Sequence, residues 1–352
     1  MKLFTVGPVE MYETTLNVKS RQLPYFRTDE FSQMMLRADE QLKDIVGATK
    51  ESKTIYLTAS GTGAMEATVM NCFHKNDKLL VINGGGFGAR FEKICEIHGI
   101  DFTSVEVPLD EDLTEEMLVA YENCGYIGLL VNIHETSIGK LYDVMMLGEF
   151  CKRNNMFFVV DAISSVFIDS ISVKEHNIDA LIFSSQKALS LSPGMAGVVL
   201  SERMVKECVL ENPVCSMYFD FKDYIVNFER GQTPFTPCVG TFIEYADMIQ
   251  WIYDRGINTV IEEKAQLAKY FRNALEEHGI AVPKYRLSNG LTPLYMENAY
   301  DGYRVLKEKY GLVVTPNGGE LKDKIIRVGH MGNVTCEDYD YLIECMLKLG
   351  WE

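Results

Sequence analysis

Long apolar runs are missing from this 352-residue chain. No stretch reaches the roughly 18 consecutive apolar residues that a membrane-spanning helix requires. The first residues, Met1 to Pro8, carry no apolar core of the secretory kind. Positive charge is also scarce: 34 Lys and Arg stand against 50 Asp and Glu, a net charge of −16. That balance argues against nucleic acid or an anionic membrane as partner. Any anionic ligand must then be held by local donors. The nine cysteines show no CxxC spacing, so neither a disulfide framework nor a thiolate metal site is expected, and a reducing, cytoplasmic setting is. His134-Glu135 is not part of an HExxH motif and no second His stands at ligand spacing, so no metal is expected. No GK[ST] loop occurs, which removes a P-loop. Repeats and low-complexity tracts are absent as well.

What is there is a core-forming chain with 47% hydrophobic residues. Short apolar segments at 54–57, 78–82, 102–107, 128–131, 156–160, 180–183 and 197–200 read as strands. Helices are expected after Thr62, at Gly88, and near Thr114, Val144 and Ser172. This alternation predicts an α/β fold whose seven-stranded, mostly parallel sheet is covered on both faces. Beyond about residue 240 the pattern becomes helical at 242–253 and 257–277, then mixed, with strands near 293–296, 312–314 and 325–328. The expected division is a large α/β domain over 15–245 and a smaller α+β domain over 250–352, joined by residues 1–14.

Chemistry concentrates at the strand ends. Lys187 follows the buried strand at 180–183, among Ser184, Ser185 and Gln186. Desolvation lowers the pKa of such an amine, and a neutral amine can condense with a carbonyl. Asp161 ends the strand before it. An amine and an acid so placed suit pyridoxal phosphate (PLP): the lysine holds the aldehyde and the aspartate keeps the pyridine nitrogen protonated. Ser60-Gly61-Thr62 opens a helix and reads either as an anion cradle or as an ordinary cap. Gly84, Gly86 and Ala89 fit a GxGxx[GA] dinucleotide fingerprint with Glu106 as the ribose acid, but the same loop could let Phe87 lie flat on a ring, or simply be a turn with a core phenylalanine. Thr136 is a candidate hydroxyl donor. Arg327, alone on an apolar strand, needs either a structural carboxylate or a substrate carboxylate.

In this order the residues resemble the class V aminotransferases of the type I PLP fold, from Thr5-Val6-Gly7-Pro8 to Arg327-Val328-Gly329-His330-Met331-Gly332. The likeness is nearest to the alanine–glyoxylate and serine–pyruvate group, and to the 2-aminoethylphosphonate–pyruvate enzymes. It implies that Lys187 and Asp161 are catalytic. It implies that Phe87 stacks on the cofactor ring, that Ser60, Gly61, Thr62 and Gln186 hold the phosphate, and that Thr136 contacts the ring hydroxyl or its vicinity. Thr236 would reach the phosphate of the neighbouring subunit in a homodimer. Arg327 and Gly7 would bind substrate, with Arg27 at the mouth, where Phe26-Arg27 departs from the usual His-Arg. The expected activity is ping-pong transfer of an amino group between alanine or serine and glyoxylate or pyruvate. The alternatives are a 2-aminoethylphosphonate–pyruvate aminotransferase, a class V cysteine desulfurase or lyase using Cys215 or Cys238, an NAD-dependent oxidoreductase, and a PLP-binding protein without turnover.

Overall fold

The computed structural model describes residues 1–351. Seven strands build one sheet: β1 (Lys53–Leu57), β2 (Lys78–Asn83), β3 (Asp101–Glu106), β4 (Gly128–Asn132), β5 (Phe157–Asp161), β6 (Ala180–Ser184) and β7 (Ala196–Leu200). Their spatial order is β1-β7-β6-β5-β4-β2-β3. Only β7 runs antiparallel to its neighbours. Because side chains alternate across a strand, successive residues enter different cores. Leu80, Ile82, Leu129, Val131 and Val160 pack on one face; Leu79, Val81, Leu130, Val159 and Ile182 pack on the other.

The connecting helices include α1 (Asp29–Ile45), α2 (Gly61–Cys72), α3 (Gly88–His98) and α4 (Val144–Arg153). The segment near Thr114 is a 3-10 helix, Glu115–Tyr121. The helix expected near Ser172 does not form. There the amides of Val173 and Lys174 donate to the carbonyls of Val46 and Gly47 at the end of α1, and Asn177 turns left-handed at φ 53°. Backbone donors claimed by a distant segment cannot build a local helix.

Helices α5 (Val239–Arg255) and α6 (Ile257–Glu277) meet at Gly256, whose φ of 78° bends the chain between them. They lead to a three-stranded antiparallel sheet, β8 (Leu291–Tyr295), β10 (Ile325–Gly329) and β9 (Thr315–Pro316), with β10 central. Helices α7 (Ala299–Tyr310) and α8 (Cys336–Leu347) cover it. Phe4, Phe271, Ile326 and Tyr339 lie in a third core. Lys2–Leu3 pairs in parallel with Leu312–Val313, so the N-terminal segment runs beside this layer. Among the described residues no helix is long and apolar enough to cross a membrane.

Candidate active site

The loops that follow β1, β2, β4, β5 and β6 leave the sheet at its carboxyl edge, where open α/β sheets place their ligands. Register sets the first pair. Asn132 lies directly opposite Asp161, and its Nδ2 donates to Asp161 Oδ2 at 2.7 Å. The Ile163 amide donates to the other oxygen at 3.0 Å. Asp161 is buried, and that desolvation raises its pKa against the opposing pull of the Ile163 N–H, Lys187 and Asn132.

Lys187 Nζ sits 4.8 Å from the centre of the Phe87 ring and makes no hydrogen bond among the described residues. Desolvation, opposed chiefly by Asp161, lowers its pKa to about 8; Arg327 and Arg90 push the same way as burial. The ammonium loses its proton as pH rises through about 8, well below the range of an ordinary lysine. The rate at which the unloaded protein condenses with an aldehyde should therefore climb through about pH 8 and then level off. A midpoint near 10.5, read by stopped-flow absorbance, would refute the desolvated amine.

Gly7 closes over the lysine. A Cβ at that position would lie 2.7 Å from Lys187 Cγ, and φ is 136°, so only glycine fits. Gly61 is packed as tightly: its Cβ would meet Ile163 Cδ1 at 2.3 Å and Ser184 Cβ at 3.4 Å. The helix start at α2 is thereby pressed against both the Asp161 and the Lys187 loops. Ser60 caps α2, accepting from the Gly63 amide at 3.4 Å, and Gln186 accepts from the Ser184 hydroxyl.

The glycine-rich loop after β2 resolves against a dinucleotide. The N-terminus of α3, where a pyrophosphate would sit, is filled by the chain's own carboxylate. Glu135 Oε2 accepts from the Phe87 and Gly88 amides at 3.0 and 3.1 Å, while Oε1 is held by Ser137. Gly84 and Gly85 are glycines because Tyr142 and Glu135 press on them: added Cβ atoms would lie 2.1 Å from the Tyr142 hydroxyl and 2.6 Å from Glu135 Cδ. Phe87 emerges half-buried beside Lys187.

Arg327 has no carboxylate partner among the described residues. Nη1 donates to the Thr136 carbonyl at 2.9 Å and Nη2 to the Pro316 carbonyl at 2.7 Å, leaving Nε buried and unpartnered. Burial lowers its pKa to about 10, so the guanidinium stays charged at neutral pH. Of the two readings of Arg327, the structural carboxylate is the one these contacts do not support.

Two further expectations are not brought into this cluster. Arg27 is exposed and donates to the Pro234 carbonyl at 3.2 Å; Thr236 is exposed nearby in sequence. No hydrogen bond links either to the Lys187 group among the described residues. Of the candidate cysteines, Cys238 packs at the loop after β1, its amide donating to Thr58 Oγ1 at 3.0 Å. Cys238 donates to the Gly194 carbonyl at 3.1 Å, and burial raises its pKa, so it is held as a thiol. Cys215 lines a groove with His74, His98 and Ile100, at the opposite edge of the sheet.

Sequence reasoning passed over Asn132 and Arg90. Asn132 could be found only from the strand register. Arg90 carries a local signal, standing three residues after Phe87 at the start of a helix.

The arrangement fits a pyridoxal group. Asn132 Oδ1, His134 Nε2 and Thr136 Oγ1 are buried and unpartnered on alternate residues beside Asp161. Buried polar atoms without partners are rare and mark a place where a ligand or water completes them. His134 Nδ1 faces the Ser164 carbonyl at 3.1 Å and so carries the hydrogen; burial lowers its pKa to about 3, leaving Nε2 a neutral acceptor.

The family model for aminotransferase class-V matches residues 9–289. An uncharacterized aminotransferase of Methanocaldococcus jannaschii is 29% identical, over 99% of this chain and 94% of its own. The L-aspartate–glyoxylate aminotransferase of Paracoccus denitrificans is 26% identical, over 95% and 87%. Among solved structures, an aspartate aminotransferase of subgroup IV from Thermus thermophilus superposes with a TM-score of 0.90 at 25% identity, covering 99% of both chains.

Proposed function

The chain belongs to the class-V aminotransferases, which are PLP-dependent enzymes, and from that premise we propose that it moves an amino group between a small amino acid, alanine or serine, and a small 2-oxo acid, glyoxylate or pyruvate. The observation that carries this substrate class is the buried Arg327 guanidinium, charged and without a protein carboxylate. A planar fork in that state takes a substrate carboxylate, and every proposed substrate has one beside the reacting carbon.

PLP, when bound, supplies an aldehyde that takes up the amino group and a ring that draws electrons from the Cα–H bond. The protein's own work is then positional and acid–base. Lys187 holds the cofactor and, once displaced, its Nζ takes the proton from the donor Cα; in the return half-reaction it gives one to the carbonyl carbon of the acceptor. Asp161 places a negative charge against the ring nitrogen, where a cation offsets the desolvation that raises its pKa. Phe87 presents its face to the ring. Ser60, Gly61, Thr62 and Gln186 hold the phosphate, and Thr136 offers a hydroxyl. Gly7 shuts the N-terminal segment over Lys187 and so helps to exclude water. Residues 15–245 carry the cofactor, while 250–352 with 1–14 bring Arg327. A homodimer, with Thr236 serving the neighbouring site, completes the reading.

The test is a visible absorption spectrum of the purified protein with alanine, serine and 2-aminoethylphosphonate supplied singly. Bleaching by alanine or serine, reversed by glyoxylate or pyruvate, is expected. Bleaching by 2-aminoethylphosphonate alone would hand the assignment to the phosphonate enzyme. Replacing Arg327 with Met should raise the KM for the 2-oxo acid about 10- to 100-fold, the loss of a charged hydrogen-bonded pair, with a smaller change in kcat. An unchanged KM would remove Arg327 from the substrate site.

A further inference from the structure

Several lysines and arginines around the sheet, Lys93, Arg153 and Arg203 among them, are paired with acids. Arg90 is not. Among the described residues no carboxylate lies within ion-pair distance of it, although 50 Asp and Glu are present in the chain. It stands one turn into α3, half-buried, and its guanidinium carbon lies 4.6 Å from the centre of the Phe87 ring, which Lys187 also approaches. Its Nη1 donates to Thr62 Oγ1 at 2.8 Å. One contact joins it to the ring plate, the other to the helix start that opens the anion cradle.

We propose that Arg90 is a further ligand of the cofactor phosphate, completing the subsite begun by Ser60, Gly61 and Thr62. This rests on the reading of Lys187 as the residue that holds PLP. The geometry divides the guanidinium's donors. Nη1 is spent on Thr62, and the remaining N–H groups have no partner among the described residues. Thr62 accepts through its oxygen, so its own hydroxyl hydrogen stays free to donate to an anion. The Gly61 and Thr62 amides, the first two of α2, likewise donate to nothing among the described residues and point along the helix dipole. Two backbone amides, one hydroxyl and one guanidinium edge then converge on one small anion. The guanidinium carbon lies over the Phe87 ring, so the contact that orients Arg90 also stiffens the ring that the cofactor meets. Arg90 also acts on the two reacting groups: its charge lowers the pKa of both Lys187 and Asp161, which favours the neutral amine and the ionised acid together.

The experiment compares two ligands that differ only in the phosphate. Unloaded wild-type protein, R90M and R90K are titrated with PLP and with pyridoxal, followed by absorbance, with far-UV melting as the control for folding. For R90M the PLP Kd should rise about 10- to 100-fold while the pyridoxal Kd moves less than about 3-fold. R90K keeps a point charge but not the fork, so its PLP Kd should fall between the two. Inorganic phosphate should compete with PLP on the wild type more strongly than on R90M. Equal losses for PLP and pyridoxal would make Arg90 a support for Phe87 only and overturn the proposal, as would no loss at all. A wild-type protein that binds neither ligand would instead defeat the reading of Lys187 on which the proposal stands.

Discussion

Lys187→Ala should lose turnover by at least about 10⁴-fold, the upper range of what a positioned acid–base group contributes, because this side chain both holds the cofactor and moves the proton. The structure explains why no neighbour can take over. The amine sits between Gly7 and Phe87 with no hydrogen bond to any described group, and its pKa of about 8 is set by desolvation at that one place. The other lysines with lowered pKa values lie elsewhere in the fold: Lys140 donates to the Pro108 carbonyl, and Lys264 to Gly332. The measurement is single-turnover absorbance with alanine or serine, beside a reduction of the holoprotein with borohydride and mass analysis of the modified peptide. Near-normal turnover in the variant, or a label on a different lysine, would sink the assignment. Because the lysine is half-buried and makes no hydrogen bond, the variant should melt within a few degrees of the wild type.

Asp161→Asn should cost about 10²- to 10⁴-fold in kcat, the equivalent of about 3–5 kcal/mol for breaking one side of a buried charge pair. The amide keeps the shape and can still accept from the Ile163 N–H, while Asn132 turns its side-chain amide over so that its free Oδ1 accepts from the new NH2. What is lost is the negative charge opposite the ring nitrogen. Before any cation arrives, burial raises the Asp161 pKa, so the carboxyl is costly to keep ionised in the unloaded protein. The sign is therefore opposite for the two forms. Removing the charge should leave the unloaded protein as stable as before or slightly more so, while the loaded protein loses part of its thermal stabilisation by PLP. Melting curves with and without PLP separate the two, and equal melting shifts for wild type and variant would show that Asp161 does not meet the cofactor.

Much of the fold was legible because burial on both faces leaves an unbroken apolar strand in the sequence. Most strands of the large sheet fall where such runs occur; the edge strand β3, Asp101–Glu106, carries Thr103 and Ser104 and buries only Val105. The segment near Ser172 was not legible as a turn, since what prevents a helix there is the capture of its amides by Val46 and Gly47. That contact spans more than a hundred residues of chain. The candidate site was legible in its strand-end residues, Asp161 and Lys187, because chemistry-bearing side chains at the ends of buried strands stand out against apolar surroundings.

The sequence by itself determined the strands of the sheet, the helices α2, α3 and α4 and the residue types gathered at one edge, since these depend on periodicity and on local capping. Tertiary structure alone decided the competing readings. Whether Gly84–Ala89 cradles a dinucleotide depended on Glu135, about fifty residues away, filling the helix N-terminus. Whether Arg327 is spent on a structural carboxylate depended on Thr136 and Pro316 supplying carbonyls instead. Arg90 gained its meaning from Thr62 on another helix. The physical reason is common to all three: hydrogen bonds and ion pairs are satisfied by whichever group packing brings within about 3 Å, and that partner has no fixed spacing along the chain.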